Sequence, residues 1–241
     1  MGERLQPVIL AAGAGLRLGG VSKALFEVGG RPLVDRCLDV LDDEPGLDDP
    51  LIVTGHHARE VEAHVGHRAD IIRNPWYAER NNFHSLRLAL ERLHRGRVLV
   101  IDCDVVVLPR VVRTAIAATP DLGLLVQPES ANPNALRVSM RGRRVTGLSR
   151  NPGEGGGEFI GISTLSQTAR GVYLKHAEAA TGAGEMDLDY DQVYSRMCAD
   201  VDARAIAVAP DAWAQIDAPS DVSQAEELAA RTDLVLAGSA G

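Results

Sequence analysis

The chain has 241 residues, a formal net charge of −8, 45% apolar residues and only 4% aromatics. That length suits one α/β domain with a sizeable core. The acid excess, without a basic block, argues against nucleic acid or an anionic membrane surface as the main partner. Cys37, Cys103 and Cys198 are odd in number and far apart, so neither a disulfide framework nor a zinc motif is expected. No apolar run reaches the roughly 18 residues of a membrane span, and the start lacks a charged-then-apolar leader. The expected location is the cytoplasm.

In chain order, Gln6–Ala12 is a continuous apolar run that fits a strand buried on both faces. Gly13-Ala14-Gly15 then gives a turn. Pro32–Leu41 has helical spacing, with Pro in the first turn. Leu51–Thr54 and Asp70–Arg73 read as strands around a short polar helix at His57–His64. Ser85–Leu93 is an amphipathic helix, Arg97–Asp102 a strand ending in acid, and Pro109–Ala118 another helix. Gly123–Pro128, Ala135–Met140, Arg144–Leu148 and Glu158–Leu165 read as strands. Helices follow near Ser166–Ala179 and at Tyr190–Ala199, and strands at Ala205–Val208 and Trp213–Asp217. Ser220–Arg231 closes the series as a helix capped by Ser220, and the last ten residues read as a frayed tail. Strands alternate with helices to residue 118 and dominate afterwards. This order predicts a three-layer α/β domain whose sheet is parallel first and mixed later.

Three segments carry chemistry. The first turn is poor in side chains, so backbone N–H groups can approach phosphates. Arg17 offers a guanidinium fork and Lys23 a point charge for a triphosphate. An ordinary strand-to-helix turn fits the glycines equally well. A dinucleotide fingerprint fails because position 18 is Leu, and a Walker A loop lacks its G-K-[ST]. The second segment is Asp102-Cys103-Asp104 at the end of a buried strand, where open α/β sheets bind ligands. Two acids at this spacing share one side of an extended strand and suit a hard divalent cation. The third is Trp213-Ala214-Gln215-Ile216-Asp217-Ala218-Pro219-Ser220-Asp221. The seven histidines form no metal or triad pattern, and Ser85 lacks a nucleophile elbow.

Leu10–Arg36 (LAAGAGLRLGGVSKALFEVGGRPLVDR) resembles the signature of the sugar-phosphate nucleotidyltransferase superfamily. Ser22 stands where its relatives more often have Pro. The resemblance implies a Rossmann-like α/β/α sandwich with a mixed, mostly parallel sheet, the nucleotidyltransferase type A fold. It places a single domain at residues 1–232, with a nucleotide-binding half to about 120, an acceptor-binding half from about 121, and a tail at 233–241. It further implies that Leu10, Ala11, Ala12, Gly13, Ala14 and Gly15 hold the nucleotide. Arg17 and Lys23 would meet its phosphates, and Asp104 and Asp217 would bind Mg²⁺. Asp102 is the weaker metal candidate and stays with the nucleotide site. Gln215 takes the place of a usual acid and is given no metal role.

Asn74–Leu86 (NPWYAERNNFHSL) narrows the likeness to cytidylyltransferases acting on phosphocholine, phosphonates or inositol phosphate. Glu158-Phe159-Ile160-Gly161-Ile162 and Tyr190-Asp191-Gln192-Val193-Tyr194 resemble further segments of that group, so the likeness covers about residues 7–228. Asn82 and Ser85 become base-reading candidates, since amide and hydroxyl both donate and accept. Capping the following helix is a compatible role for both. Arg150 is a candidate for the acceptor's phosphate or phosphonate, and Glu158, Tyr190 and Asp191 complete the acceptor set. A choline cage could draw only on Trp76, Tyr77, Phe159 and Tyr190.

The implied reaction couples CTP to a small phosphate or phosphonate and releases pyrophosphate. A sugar-1-phosphate uridylyl-, thymidylyl- or guanylyltransferase, a nucleotide-sensing subunit without turnover and a glycosyltransferase remain as alternatives. The acceptor and the oligomeric state are not readable, and a homodimer stays open.

Overall fold

The computed structural model describes residues 4–15, 18, 20, 22–42, 44–79, 81–94, 96–151 and 156–239. Its centre is a nine-stranded mixed sheet. The strands are β1 (Leu5–Ala11), β4 (Leu51–Thr54), β5 (Asp70–Arg73), β6 (Arg97–Asp102), β8 (Leu122–Pro128), β9 (Arg137–Arg141), β10 (Arg144–Ser149), β11 (Gly157–Leu165) and β12 (Ala203–Ala207). Their order is β5-β4-β1-β6-β11-β8-β12-β10-β9, with β9 also reaching β11. The run from β5 to β6 is parallel, and β11 lies antiparallel between β6 and β8. The parallel-then-mixed order agrees with the alternation read from the chain.

Alternate residues of the central strands feed two cores. Ile9, Leu99 and Ile101 join one cluster, and Val8, Val98 and Val100 the other. The two-residue side-chain period of a strand covered on both faces explains the near-continuous apolar runs. Helices α1 (Leu33–Asp39), α2 (Ala58–Val65), α4 (Pro109–Ala117) and α7 (Val222–Ser239) cover the first face. Helices α3 (Phe83–Arg92), α5 (Gln167–Gly182) and α6 (Tyr190–Met197) cover the second. The result is the three-layer, Rossmann-like sandwich. No helix among the described residues is long and apolar enough to cross a membrane.

Four features depart from the expectations. Glu27–Val28 (β2) and Arg31–Pro32 (β3) form a small hairpin, so α1 begins one residue later than expected. Its turn is Gly29-Gly30, both at positive φ, as a tight two-residue hairpin requires. Val105–Val107 (β7) pairs with Trp213–Gln215 (β13) in a separate antiparallel ribbon. The final helix starts at Val222, after a 3₁₀ turn at Pro219–Asp221 that contains Ser220. It runs on to Ser239 instead of fraying at 232. Leu228 and Ala229 anchor it in the core, while Thr232 Oγ1 donates to Val107 O.

Candidate active site

The parallel strands end together on one edge of the sheet, where the chain leaves β1 and β6 and folds into loops. Gly13, Ala14 and Gly15 follow β1 and line a cavity of about 670 Å³. Gly15 has φ +56 and its carbonyl accepts Leu18 N–H at 2.9 Å, which curls the loop back on itself. Leu10 and Ala11 instead line a pocket of about 50 Å³ that also meets Lys23, Asp102 and Asp104. Ala12 lies behind the loop, where its carbonyl accepts His56 N–H at 3.1 Å. The His56 ring lies 3.3 Å from Gly20 O, a tie to the signature loop that the sequence did not suggest. Arg17 lies outside the described residues.

Lys23 opens a 3₁₀ turn, Lys23–Leu25, whose Ala24 is buried in the core. Its ammonium donates to Asp104 Oδ2 at 2.5 Å and to Asp217 Oδ1 at 2.8 Å. Two acids 113 positions apart therefore reach one cationic centre. Burial disfavours that ammonium, but Asp104, and then Asp217, outweigh it and hold the lysine above its ordinary pKa. The β7–β13 ribbon creates this meeting. Gln215 registers with Val105, and Ile216 N–H donates to Asp104 O at 3.0 Å. Asp217 is the next residue, so it emerges beside Asp104.

Asp102 and Asp104 do not sit on one extended strand as expected. β6 ends at Asp102, and Cys103–Asp104 form a turn, yet both acids face the same small pocket. Asp102 Oδ2 accepts the Tyr190 hydroxyl at 2.7 Å. Burial first, then the charge of Asp104, raises the Asp102 carboxyl well above the usual range. Gly161 makes room for this pair: at φ +77, an added Cβ would lie 2.8 Å from Asp102 Oδ2. That explains the glycine inside β11, where the register with β8 also shifts.

Asn82 lines the cavity, and its side-chain oxygen accepts Tyr190 N–H at 2.8 Å. It stands at the N-cap of α3 without a capping bond of its own side chain. Ser85 is not in the cavity lining. It is buried in α3 and accepts Asn74 Nδ2 at 3.0 Å, so its hydroxyl serves the preceding loop and not the cavity.

The four residues expected to meet an acceptor, Arg150, Glu158, Tyr190 and Asp191, all line the cavity. The Tyr190 hydroxyl is committed to Asp102. Glu158 accepts the Ser130 hydroxyl and, at 2.7 Å, Asn132 Nδ2, so both its oxygens hold the loop between β8 and β9. Arg137 ties the same loop from its carbonyl side through Ser130 O and Asn132 O. Arg150 reaches Asp191 at 3.7 Å. Burial, followed by the charge of Asp189, raises Asp191 to about 6 against the opposing pull of Arg150.

Asn81 and Asp189, neighbours of the candidates Asn82 and Asp191, also line the cavity, and the sequence reading missed Asn132 and Asn134 in its wall. The polar stretch Ser130–Asn134 was the available signal for them, but nothing local says that β9 pairing with β11 carries it to Glu158. Trp76 and Tyr77 are exposed and outside the cavity lining, which leaves Phe159 and Tyr190 as its aromatics. A second cavity of about 870 Å³ continues past Asn132, Asn134 and Asp217 towards Asp221.

The donor set near Lys23 fits a hard divalent cation. Asp104 Oδ1 is buried and meets no hydrogen-bond partner among the described residues. Both carboxylates already converge on one positive charge, and oxygen is the donor such ions prefer. Among the described residues no group of three or more His, Cys, Asp or Glu side chains gathers.

Comparison with known proteins agrees with this architecture. Over 236 residues the chain is 29% identical to the bifunctional IPC transferase and DIPP synthase of Rubrobacter xylanophilus, covering 94% of this chain and 52% of that protein. It is 33% identical over 105 residues to the choline-phosphate cytidylyltransferase of Streptococcus pneumoniae, 42% of this chain and 44% of that one. The chain thus spans about half the length of these curated relatives. Among solved structures, the inositol-1-phosphate CTP transferase from T. maritima superimposes with a TM-score of 0.80 at 18% identity, over 94% of this chain and 97% of that chain. The CTP:phosphocholine cytidylyltransferase from Streptococcus pneumoniae gives 0.81 at 22%, over 94% and 99%. These two likenesses concern the fold. The MobA-like NTP transferase domain matches residues 7–167, two thirds of the chain, from within β1 to just past the end of β11, and the chain belongs to that family.

Proposed function

We propose that the chain is a cytidylyltransferase that joins the CMP portion of CTP to a small phosphate or phosphonate and releases pyrophosphate. The observation that carries this reading is the convergence of Asp104 and Asp217 on one cationic point beside the Gly13–Gly15 loop. The family supports an NTP as donor, and the names of the relatives favour CTP and a phosphorylated acceptor.

In this reading an ionised oxygen of the acceptor attacks the α-phosphorus in line. The bond from that phosphorus to the bridging oxygen breaks, and pyrophosphate carries the electron pair away. The nucleophile is already charged, so no strong base is required, and the site works by positioning and charge stabilisation. Asp104 and Asp217 would hold Mg²⁺, which supplies charge neutralisation at the phosphoryl oxygens. Gly13–Gly15 bring backbone N–H groups to the nucleotide, with Asn82 beside them. Lys23 and Arg17 stabilise the charge that grows on the leaving pyrophosphate.

Arg150 is the acceptor's phosphate contact, and Asp189 with Asp191 faces its head group. Those acids suit an ammonium or hydroxyl head. A quaternary ammonium would find only Phe159 and Tyr190 in place of a full aromatic cage.

The test is a pyrophosphate-release screen of CTP, UTP, dTTP and GTP against phosphate and phosphonate acceptors. CTP should be the preferred donor with at least one acceptor. Asp104→Ala and Asp217→Ala should each lower kcat by at least about 10²-fold while the circular dichroism spectrum is unchanged. Silence of the wild-type chain across the panel, or near-normal turnover by either variant, contradicts the proposal.

A further inference from the structure

We propose that Asp221 is a positioning residue that sets the affinity of the site for its divalent cation by fixing the backbone from which Asp217 projects. The proposal deepens the metal reading above and rests on it. After Ile216 the β7–β13 ribbon has ended, and Asp217 has no strand partner to hold it. Its side chain is 49% exposed, against 16% for Asp104, so packing does not hold it either. Lys23 meets its carboxylate, and what holds its backbone is Asp221. One carboxylate oxygen, Oδ2, accepts both Asp217 N–H at 2.9 Å and Ala218 N–H at 2.8 Å. The other, Oδ1, accepts the Ser220 hydroxyl at 3.1 Å. Pro219 sits inside this turn with no N–H to leave unsatisfied.

The spacing assigns the two acids different work. Asp217 reaches the cationic centre, whereas all the hydrogen bonds of Asp221 go to its own turn. Without the cap, the carboxylate of Asp217 would have to be ordered at the moment of cation binding. That ordering cost falls on affinity, as it does when the group that orients a metal ligand is lost.

The test compares wild type, Asp221→Ala and Asp221→Asn. Mn²⁺ affinity is read by water-proton relaxation in the presence of CTP, and exchange of the Asp217 and Ala218 amides by NMR. Asp221→Ala should weaken Mn²⁺ binding by about tenfold or more and deprotect both amides. Asp221→Asn keeps an acceptor oxygen and should stay within about threefold of wild type. Unchanged Mn²⁺ affinity in Asp221→Ala would overturn the proposal, with or without loss of amide protection. So would an Asn variant as weak as the Ala variant, since that would mean charge and not turn geometry matters. A wild-type chain that binds no Mn²⁺ would sink this proposal and the metal assignment together. Normal Mn²⁺ behaviour without pyrophosphate release would sink only the proposed reaction.

Discussion

Asp191 is the acid whose protonation the fold perturbs most usefully. Its side chain is 9% exposed, Asp189 adds like charge, and Arg150 offsets them only in part at 3.7 Å. The folded chain keeps its proton up to about pH 6, whereas the unfolded chain releases it near 3.8. Between those values the folded state binds more protons, so stability falls as pH rises through the window and stays reduced above it. The gap amounts to about 3 kcal/mol. Asp191→Asn should therefore be more stable than wild type at pH 7.5, and its denaturant midpoint should lose the decline between pH 4 and 6. The same substitution should raise the acceptor KM by about tenfold, the worth of one charge-assisted hydrogen bond. Equal midpoints at pH 7.5 would contradict the burial argument. At this scale the sequence was informative where the family resemblance marked a position: Lys23, Asp104 and Asp217 stand together, as that resemblance implied. It was less informative where a partner decides the role. Glu158 and Ser85 have the right chemistry for a ligand, yet their hydrogen bonds go to the 130–132 loop and to Asn74.

The β7–β13 ribbon is the element on which the site depends most. It joins a strand of three valines to a segment more than a hundred positions later. Ile216, just beyond it, has no exposed surface and packs in the core cluster with Val105, Val106 and Ala225. Ile216→Ala should cost about 2–5 kcal/mol through the cavity left behind. It should also lower kcat more than it raises the CTP KM, because Asp217 hangs from the loosened segment. A variant that loses stability but keeps wild-type kcat below its melting range would separate the ribbon from the site. Such an element is hard to read in advance: three residues show no alternation, and its pairing is entirely non-local. The β2–β3 hairpin was obscure for a related reason, since its strands have two residues each and only Gly29-Gly30 marks the turn. The helical end at 233–239 was misread as a frayed tail because its tie to the body is non-local: Arg36, itself buried, reaches Asp233 at 3.0 Å. By contrast, β1, β4, β6 and α3 were legible because long apolar runs and 3.6-residue spacing are local signals.

Across the whole molecule, the parallel half of the sheet brings the Gly13–Gly15 loop, Lys23 and Asp104 to one edge. The mixed half brings Glu158, Asp191 and the polar loop that faces them. The order of strands in the chain foretold these halves, but not that Asn82 and Tyr190 bond across them at 2.8 Å. The two sides of the cavity are thus joined directly, and the two acids that meet at Lys23 lie 113 positions apart in the chain. The central claim is that Asp104 and Asp217 share one divalent cation with the nucleotide. Anomalous diffraction from crystals grown with Mn²⁺ and a non-hydrolysable CTP analogue tests it most directly. The account predicts a manganese peak between the two carboxylates, within about 2.3 Å of an oxygen of each, and Lys23 turned towards the phosphates. A manganese ion held by the triphosphate alone, with Lys23 still bridging Asp104 and Asp217, would contradict it.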